Sequence, residues 1–150
     1  MGTKYTGSKK EIQALESYIK LVRSAESLSS KIYLVLKELE LTESQFGVLD
    51  ALFHLGPMKQ REIGQKILKS GGNITMVIDN LEKRNFVKRK RGEKDRRQFV
   101  VHLTKKGRKK FAVVLPKVVN LIIQHFEILN ADEQNALQRL CKIIGLQVRN

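Results

Sequence analysis

The chain has 150 residues, of which 41% are hydrophobic and 29% charged, and its formal net charge at pH 7 is +14. This composition is typical of a single globular domain over residues 1–150 with its own core, and it excludes a disordered chain. A single cysteine excludes an internal disulfide and suits a reducing compartment. No signal peptide and no apolar run of about 18 residues occur, so we expect a cytoplasmic protein without a membrane partner.

The first predicted element is a long helix from Lys9 to about Leu39. Its apolar residues recur at helical spacing and are Ile12, Leu15, Ile19, Val22, Leu28, Ile32, Val35 and Leu36. Serines interrupt this stripe in the middle, at Ser24, Ser27, Ser29 and Ser30. We interpret them as an exposed polar face rather than as a ligand-binding stretch.

A second helix is predicted to begin at Thr42. Thr42 and Gln45 form a capping-box pattern, and Leu41 and Phe46 occupy the positions of a hydrophobic staple. The predicted buried side comprises Phe46, Leu49, Leu52 and Phe53. Gly56-Pro57 ends this helix.

A helix-turn-helix is predicted next. Lys59–Leu68 has a short helical pattern, and the helix from Ser70 to Asn85 carries a clear apolar stripe. That stripe has i, i+3, i+4, i+7 spacing and consists of Ile74, Val77, Ile78 and Leu81. Ser70 is a good N-cap, and Asn85 tolerates the left-handed conformation with which helices often end.

Two strands are predicted after these helices. Phe86–Arg91 suits an exposed strand, residues 92–97 a turn, and Gln98–Leu103 a strand with Phe99, Val101 and Leu103 on one side. A helix-turn-helix followed by a basic hairpin is a winged helix-turn-helix. The fold class is therefore mainly α with a small β-hairpin wing, and residues 41–103 form the predicted DNA-binding module.

Two more helices are predicted, opened by Thr104 and by Asn130 with Glu133, and we expect a bend at Pro116. Their apolar residues are Phe111, Leu115, Val118, Ile122 and Phe126, and then Leu137, Leu140, Cys141, Ile144 and Val148. A winged helix does not need terminal helices of this length. Residues 9–39 and 104–150 are therefore predicted to offer an apolar surface to a partner.

Positive charge is concentrated in one part of the chain. Between Leu81 and Lys110 there are fourteen Lys or Arg residues against three acidic ones, a net charge of +11 in thirty residues. Such an excess on a predicted reading helix and wing indicates a polyanionic partner. A basic, solvated surface is the alternative.

No catalytic or metal-binding motif is found. Cys141 stands alone, and His54, His102 and His125 lack metal-ligand spacing. Gly71-Gly72 lacks the lysine and the spacing of a phosphate loop. We predict neither an enzyme nor a metal or cofactor, and we interpret Cys141 as a packing residue rather than a redox sensor.

Several short pieces occur in the order seen in bacterial MarR-type regulators. They are Leu41-Thr42-Glu43-Ser44-Gln45-Phe46, Ile63-Gly64, Ser70 to Thr75, Asp79-Asn80-Leu81-Glu82-Lys83, Phe86-Val87, Asp95-Arg96-Arg97 and Leu103-Thr104-Lys105-Lys106-Gly107. The sequence resembles this family over most of its length. The resemblance implies a homodimer with interdigitating ends and an effector pocket between the dimer helices and the reading head, with Phe53 and His54 as candidate lining residues.

The recognition helix is expected to meet DNA with the face opposite its apolar stripe. The candidate residues are Ser70, Gly72, Asn73, Thr75, Met76, Asn80 and Lys83. Asn73 can pair with adenine, Thr75 can serve a base edge or a phosphate, and Ser70 suits a phosphate. Many family members carry arginine in place of Met76 and a basic residue in place of Asn80, so the operator sequence stays open.

The turn between the strands supplies the predicted wing contacts. Arg97 matches the family arginine that enters the minor groove, and Asp95 matches the acid that orients it. Lys88, Lys94 and Arg96 are assigned to phosphates. A narrow A·T-rich minor groove attracts arginine through its negative potential, which reads shape rather than base identity.

The sequence thus predicts a homodimeric regulator of transcription that binds a pseudo-palindromic double-stranded operator. We expect a repressor released by a small phenolic, aromatic or antibiotic-like effector. Two alternatives stay open, a ligand-independent activator or architectural DNA-binding protein and a basic RNA-binding protein.

Overall fold

The computed structural model of the protein describes residues 2–67, 71–92 and 98–146. The helices are α1 (Lys9–Glu38), α2 (Glu43–Leu55), α3 (Gln60–Lys66), α4 (Gly71–Lys83), α5 (Lys105–Phe126) and α6 (Ala131–Leu146). The strands are β1 (Met58–Lys59), β2 (Val87–Arg91) and β3 (Phe99–Leu103). The predicted fold class is confirmed.

Side chains that cap free backbone groups define the helix ends. The Thr42 hydroxyl accepts from the Gln45 N–H, and the Gln45 carbonyl oxygen accepts from the Thr42 N–H, each at 3.1 Å. The same exchange occurs before α6, where Asn130 and Glu133 bond each other's N–H at 3.0 and 2.9 Å. Both predicted helix starts are confirmed, since a capping box satisfies two otherwise unpaired donors.

The helix ends also follow the sequence. Gly56 stops α2 with a φ of 81°, and Asn85 follows α4 with a φ of 58°. In this left-handed conformation the chain turns back, so that the Phe86 N–H donates to the Leu81 carbonyl at 2.9 Å. The predicted role of Asn85 is confirmed, whereas the predicted N-cap Ser70 lies outside the described residues.

One core joins α1, α2 and α5 to the helix-turn-helix. All four residues of the α4 stripe are buried, with exposures of 7% or less. Phe111 of α5 is fully buried between Phe46 and Phe53, with ring centroids 5.4 and 5.0 Å away. Phe46 and Phe53 themselves are half-buried, and Val48 is fully buried on α2 together with the predicted Leu49 and Leu52.

The sheet has the order β1-β3-β2, all antiparallel. Strand β1 was not predicted, because two residues between Pro57 and α3 are too few to show an alternating pattern. Val87 pairs with Leu103 and Arg89 with Val101, as the predicted hairpin requires. Phe99 pairs with Arg91 beside the turn, and its side chain is 48% exposed.

The terminal helices expose apolar side chains. Helix α5 continues through Pro116 without a break. Helix α6 lies at 105° to α5. Leu140, Ile143 and Ile144 on α6 are about half exposed, and Cys141 is exposed as well. The prediction that Cys141 is buried is wrong within one chain, because the described residues of the other elements leave this face of α6 uncovered.

Among the described residues, no single helix is long and apolar enough to cross a membrane; only α5 and α6, taken together as a bent pair, reach the required length and composition.

Gly107 lets α5 approach the Phe86 backbone, between α4 and β2, closely. A Cβ added there would collide with the Phe86 carbonyl oxygen and with the Leu103 side chain. We expect Gly107→Ala to lower the free energy of unfolding by roughly 1–3 kcal/mol through overpacking. Thermal or urea unfolding measures the loss.

The matched control is Gly145→Ala on α6, where an added Cβ meets no atom within 4 Å. Because alanine is the better helix former, we expect Gly145→Ala to leave stability unchanged or slightly raised. Equal effects of the two substitutions would contradict the close approach of α5 to Phe86.

Candidate nucleic-acid interface

The exposed face of α4 carries most of the residues predicted to read DNA. Asn73, Thr75, Asn80 and Lys83 are exposed, and the Met76 side chain is 60% exposed although it is apolar. Gly72 belongs to α4, and its exposure is not described. Ser70 lies outside the described residues. The buried stripe on the opposite side fixes which residues of α4 can face a groove.

Thr75 is held by the neighbouring helix of the motif. The Gln60 side-chain amide, at the start of α3, donates to the Thr75 hydroxyl at 2.6 Å. The Gln60 carbonyl oxygen in turn accepts from Arg89 Nε and Nη2, each at 3.3 Å. One glutamine therefore connects the first turn of α3, the exposed face of α4 and strand β2.

Arg89 is the centre of the polar contacts under the reading surface. Its guanidinium lies 2.6 Å from an Asp79 oxygen and 2.7 Å from a Glu82 oxygen, and its side chain is 18% exposed. The Arg89 N–H also donates to the second Glu82 oxygen at 2.8 Å. Two carboxylates three residues apart on α4 are thereby bound to β2 by charge-assisted hydrogen bonds.

These contacts give a role to Asp79, which directly precedes the predicted DNA-reading residue Asn80 on α4. The ion pair compensates its negative charge, which would otherwise repel phosphate. Sequence reasoning missed the role of Arg89 because it treated the segment 86–91 as an exposed strand. A signal was present, since Arg89 lies two residues after the buried Val87 and so shares its inward-facing side.

Of the predicted wing residues, the structure describes only Lys88, which is exposed on β2. Lys94, Asp95, Arg96 and Arg97 lie outside the described residues. His102 pairs with Lys88 across the hairpin. Burial, together with the charges of Lys90 and Lys88, lowers the pKa of His102 from its ordinary value.

The two candidate effector-binding residues lie together at the junction of α2 and α5. Phe53 packs on Phe111, and the Arg108 guanidinium lies 5.0 Å from the centre of the Phe53 ring. His54 is exposed, with its Nε2 3.5 Å from an Asp50 oxygen. Neither residue lines the apolar cavity of about 440 Å³ between α5 and α6, which is surrounded by Ile122, Phe126, Leu137 and their neighbours.

Over residues 2–67, 71–92 and 98–146, no group of three histidine, cysteine or acidic side chains is arranged to hold a metal ion.

The short helix α3, the exposed polar face of α4 and the basic hairpin joined to α4 through Arg89 define a winged helix-turn-helix DNA-binding protein. A family profile described as "Transcriptional regulator SarA/Rot" matches residues 30–114. The chain belongs to this family of MarR-like winged-helix regulators. It is a DNA-binding regulator of transcription, as the sequence predicted.

Similar proteins and solved structures agree with this family membership. The helix-turn-helix-type transcriptional regulator YkoM of Bacillus subtilis is 34% identical over 89% of this chain and 87% of its own length. The structure of AbsC, a MarR family regulator from Streptomyces coelicolor, superposes with a TM-score of 0.86 at 21% identity, covering 98% of this chain and 99% of AbsC. Bordetella bronchiseptica BpsR gives 0.81 at 22% identity, over 95% and 98% of the two chains. At these identities the two structures show a shared fold.

The Arg89 contacts predict a specific defect. Arg89→Met leaves Asp79 and Glu82 unpaired beside the DNA-reading face, so we expect weaker DNA binding and a loss of roughly 1–3 kcal/mol in the free energy of unfolding. Arg89→Lys should recover only part of both, because one ammonium cannot reproduce the guanidinium geometry. Thermal unfolding and duplex titration measure the two effects.

Lys90→Met is the matched control, since Lys90 is the exposed neighbour on the same strand and the substitution removes the same charge. It should leave the unfolding midpoint unchanged. If Lys90→Met and Arg89→Met lower stability equally, the ion pairs do not hold β2 to α4.

Proposed function

We propose that the protein binds a pseudo-palindromic duplex operator as a homodimer and represses transcription until a small aromatic effector releases it. In this proposal residues 41–103 read DNA, and residues 9–39 and 104–150 join the two copies. The protein acts in the cytoplasm by binding alone, without a catalytic step. The exposed apolar face of the terminal helices is the observation that carries the dimer.

A second copy of the chain accounts for that face. On α5 the Ile123 side chain is 56% exposed, and on α6 Leu140 and Ile144 are 48% and 55% exposed. Tyr33 and Leu34 on α1 are 51% and 59% exposed. Exposed apolar residues in such number favour an association surface, and a two-fold axis would bury the same residues of both chains.

The dimer sets the spacing of the operator. Two copies of α4 related by a two-fold axis enter successive major grooves, so the half-sites should lie about 10 bp apart centre to centre. We assign base contacts to Asn73, Thr75 and Met76, and phosphate contacts to Ser70, the Gly72 backbone, Asn80 and Lys83. In the wing, Arg97 oriented by Asp95 enters the minor groove, while Lys88, Lys94 and Arg96 bind phosphates.

Regulation by a small molecule rests on two observations. BpsR, which has the same fold, is a protein whose DNA binding is regulated by 6-hydroxynicotinic acid. In this chain, Phe53 and His54 present aromatic surface beside the Arg108 cation where α2 meets α5. An aromatic ring with an anionic group suits such a set, because stacking and charge pairing act together.

The dimer is tested by Leu140→Asp, which places a charge in the proposed interface. We expect sedimentation to show a monomer at micromolar concentration, and operator binding to fall with it, since the two half-sites are bound together. Leu55→Asp on α2, where leucine is 57% exposed, is the control and should stay dimeric. A stable monomer of the parent chain would refute the proposed assembly.

The separate roles of the wing, phosphate and base contacts are tested on sites selected from random duplex DNA. Arg97→Ala should cost roughly 1–3 kcal/mol, most on sites with A·T-rich flanks. Lys88→Ala should weaken all duplexes about equally and make the log K against log salt slope shallower by about 1 for each copy of the chain in the dimer. Asn73→Ala should relax base preference at one position in each half-site.

Structured RNA at matched salt is the control for this series. Binding of RNA as tight as binding of the selected duplex would contradict the proposed operator recognition. If Arg97→Ala binds every duplex as the parent does, the wing does not enter the minor groove.

A further inference from the structure

A second basic surface lies at the C-terminal end of α4, away from the residues assigned to base reading. Four cationic side chains, which we name the basic cluster, surround a cavity of about 560 Å³: Arg84, Lys106, Lys109 and Lys110. Glu40 and Phe86 complete its lining. None of the four cations has a role in the contacts proposed above.

The basic cluster is attached rigidly to the end of the recognition helix. The Arg84 guanidinium donates to the Glu40 carbonyl at 2.6 Å, and Lys106 Nζ donates to the Arg84 carbonyl at 3.0 Å. Arg84 and Lys106 lie over the Phe86 ring, 4.7 and 5.3 Å from its centre. The Thr104 hydroxyl also donates to the Asn85 carbonyl at 2.6 Å. Movement of α4 therefore carries the basic cluster with it.

Its charge is not compensated within the described part of the chain. No described carboxylate forms an ion pair with any of the four cations, and Glu40 is the one acidic residue at the cavity. Helices α1, α2, α3 and α6 each begin with an acidic residue in the first turn, whereas α5 begins with lysines. Of the cluster, Lys106 lies in the first turn of α5, where the helix dipole disfavours a cation, and the like charges of the cluster repel each other. An anion bound at the cluster would relieve this repulsion.

Such an anion has to bind at the basic cluster, because the charge of the cluster does not reach the base-reading end of α4. Arg84 follows Asn73 by eleven residues, which is about 17 Å along a helix. The Debye length at physiological ionic strength is about 8 Å, so the field of the cluster is largely screened at the base-reading end of α4. The cluster therefore adds little to base reading through long-range attraction.

Resting on the proposed function, we propose that the basic cluster binds the phosphate backbone of DNA just outside each half-site. The major groove is roughly 12 Å wide, so a helix whose first turns read bases carries its last residues over the bordering backbone. Lys83, the last residue of α4, is exposed on the reading face and directly precedes Arg84 of the cluster. Phe86 is only 5% exposed, so the surface offers charge without the apolar anchor that protein partners usually use.

The test compares Lys109→Gln/Lys110→Gln with Lys9→Gln/Lys10→Gln, which removes the same charge from exposed lysines at the start of α1, ahead of Ile12, where the apolar stripe of that helix begins. Neither lysine of the cluster pair makes a hydrogen bond or ion pair with described residues, so the fold should persist, as circular dichroism verifies. Each protein is titrated on the selected operator alone and on the same operator extended by about one helical turn, roughly 10 bp, on both sides.

We expect the parent to bind the extended duplex more tightly, and the Lys109→Gln/Lys110→Gln variant to lose this gain. On the extended duplex its log K against log salt slope should be shallower by about 3.6, for two phosphates at about 0.9 each in each of the two copies of the dimer. On the short duplex it should match the parent, and the α1 control should match the parent on both.

Equal loss on both duplexes would overturn the proposal, because the cluster would then contact the half-site itself. No loss on either would also overturn it, and lost regulation in transcription with purified polymerase would then indicate an acidic protein partner. If the parent itself does not prefer the selected duplex over scrambled DNA, the proposed function fails rather than this extension of it.

Discussion

The ion pairs of Arg89 are the contacts on which the reading surface depends most. A helix can lie in a groove reproducibly only if its orientation relative to the wing is fixed. Here a largely buried guanidinium fixes it by binding Asp79 and Glu82 of α4 at 2.6 and 2.7 Å. The guanidinium charge also offsets one of the two negative charges beside a polyanion, so the contact serves both geometry and electrostatics. Through Gln60, the Thr75 side chain shares this arrangement.

The charge that attracts DNA is distributed away from the base-reading residues. Met76 and Asn80, where many family members carry basic residues, are exposed and uncharged, so the centre of α4 can contribute contacts and shape but no cation. Lysines and arginines follow instead from Lys83 onward, along β2 and into the first turns of α5. This arrangement suits a protein that anchors on the backbone at several points and reads bases through few side chains.

The terminal helices expose apolar side chains that the core of one chain does not cover. In a single chain, α6 exposes Leu140, Ile143 and Ile144, while the core formed by α1, α2, α4 and α5 is already filled. A second copy covering this face would link the stability of the ends to protein concentration. It would also give the exposed Cys141 the packed environment that its position in the stripe suggested.

Local patterns in the sequence determined much of this structure. The capping boxes at Thr42 and Asn130, the left-handed turn at Asn85 and the buried stripe of α4 depend on residues within one or two turns of each other, so their spacing alone predicts them. Other features depend on which distant segments of the chain face one another. They are the partners of Arg89, the pairing of Asp79 and the assembly of the basic cluster around Phe86. The spacing of residues along the sequence does not predict these contacts, because they form only when the apolar stripes pack around Phe111 and bring α4, β2 and α5 together.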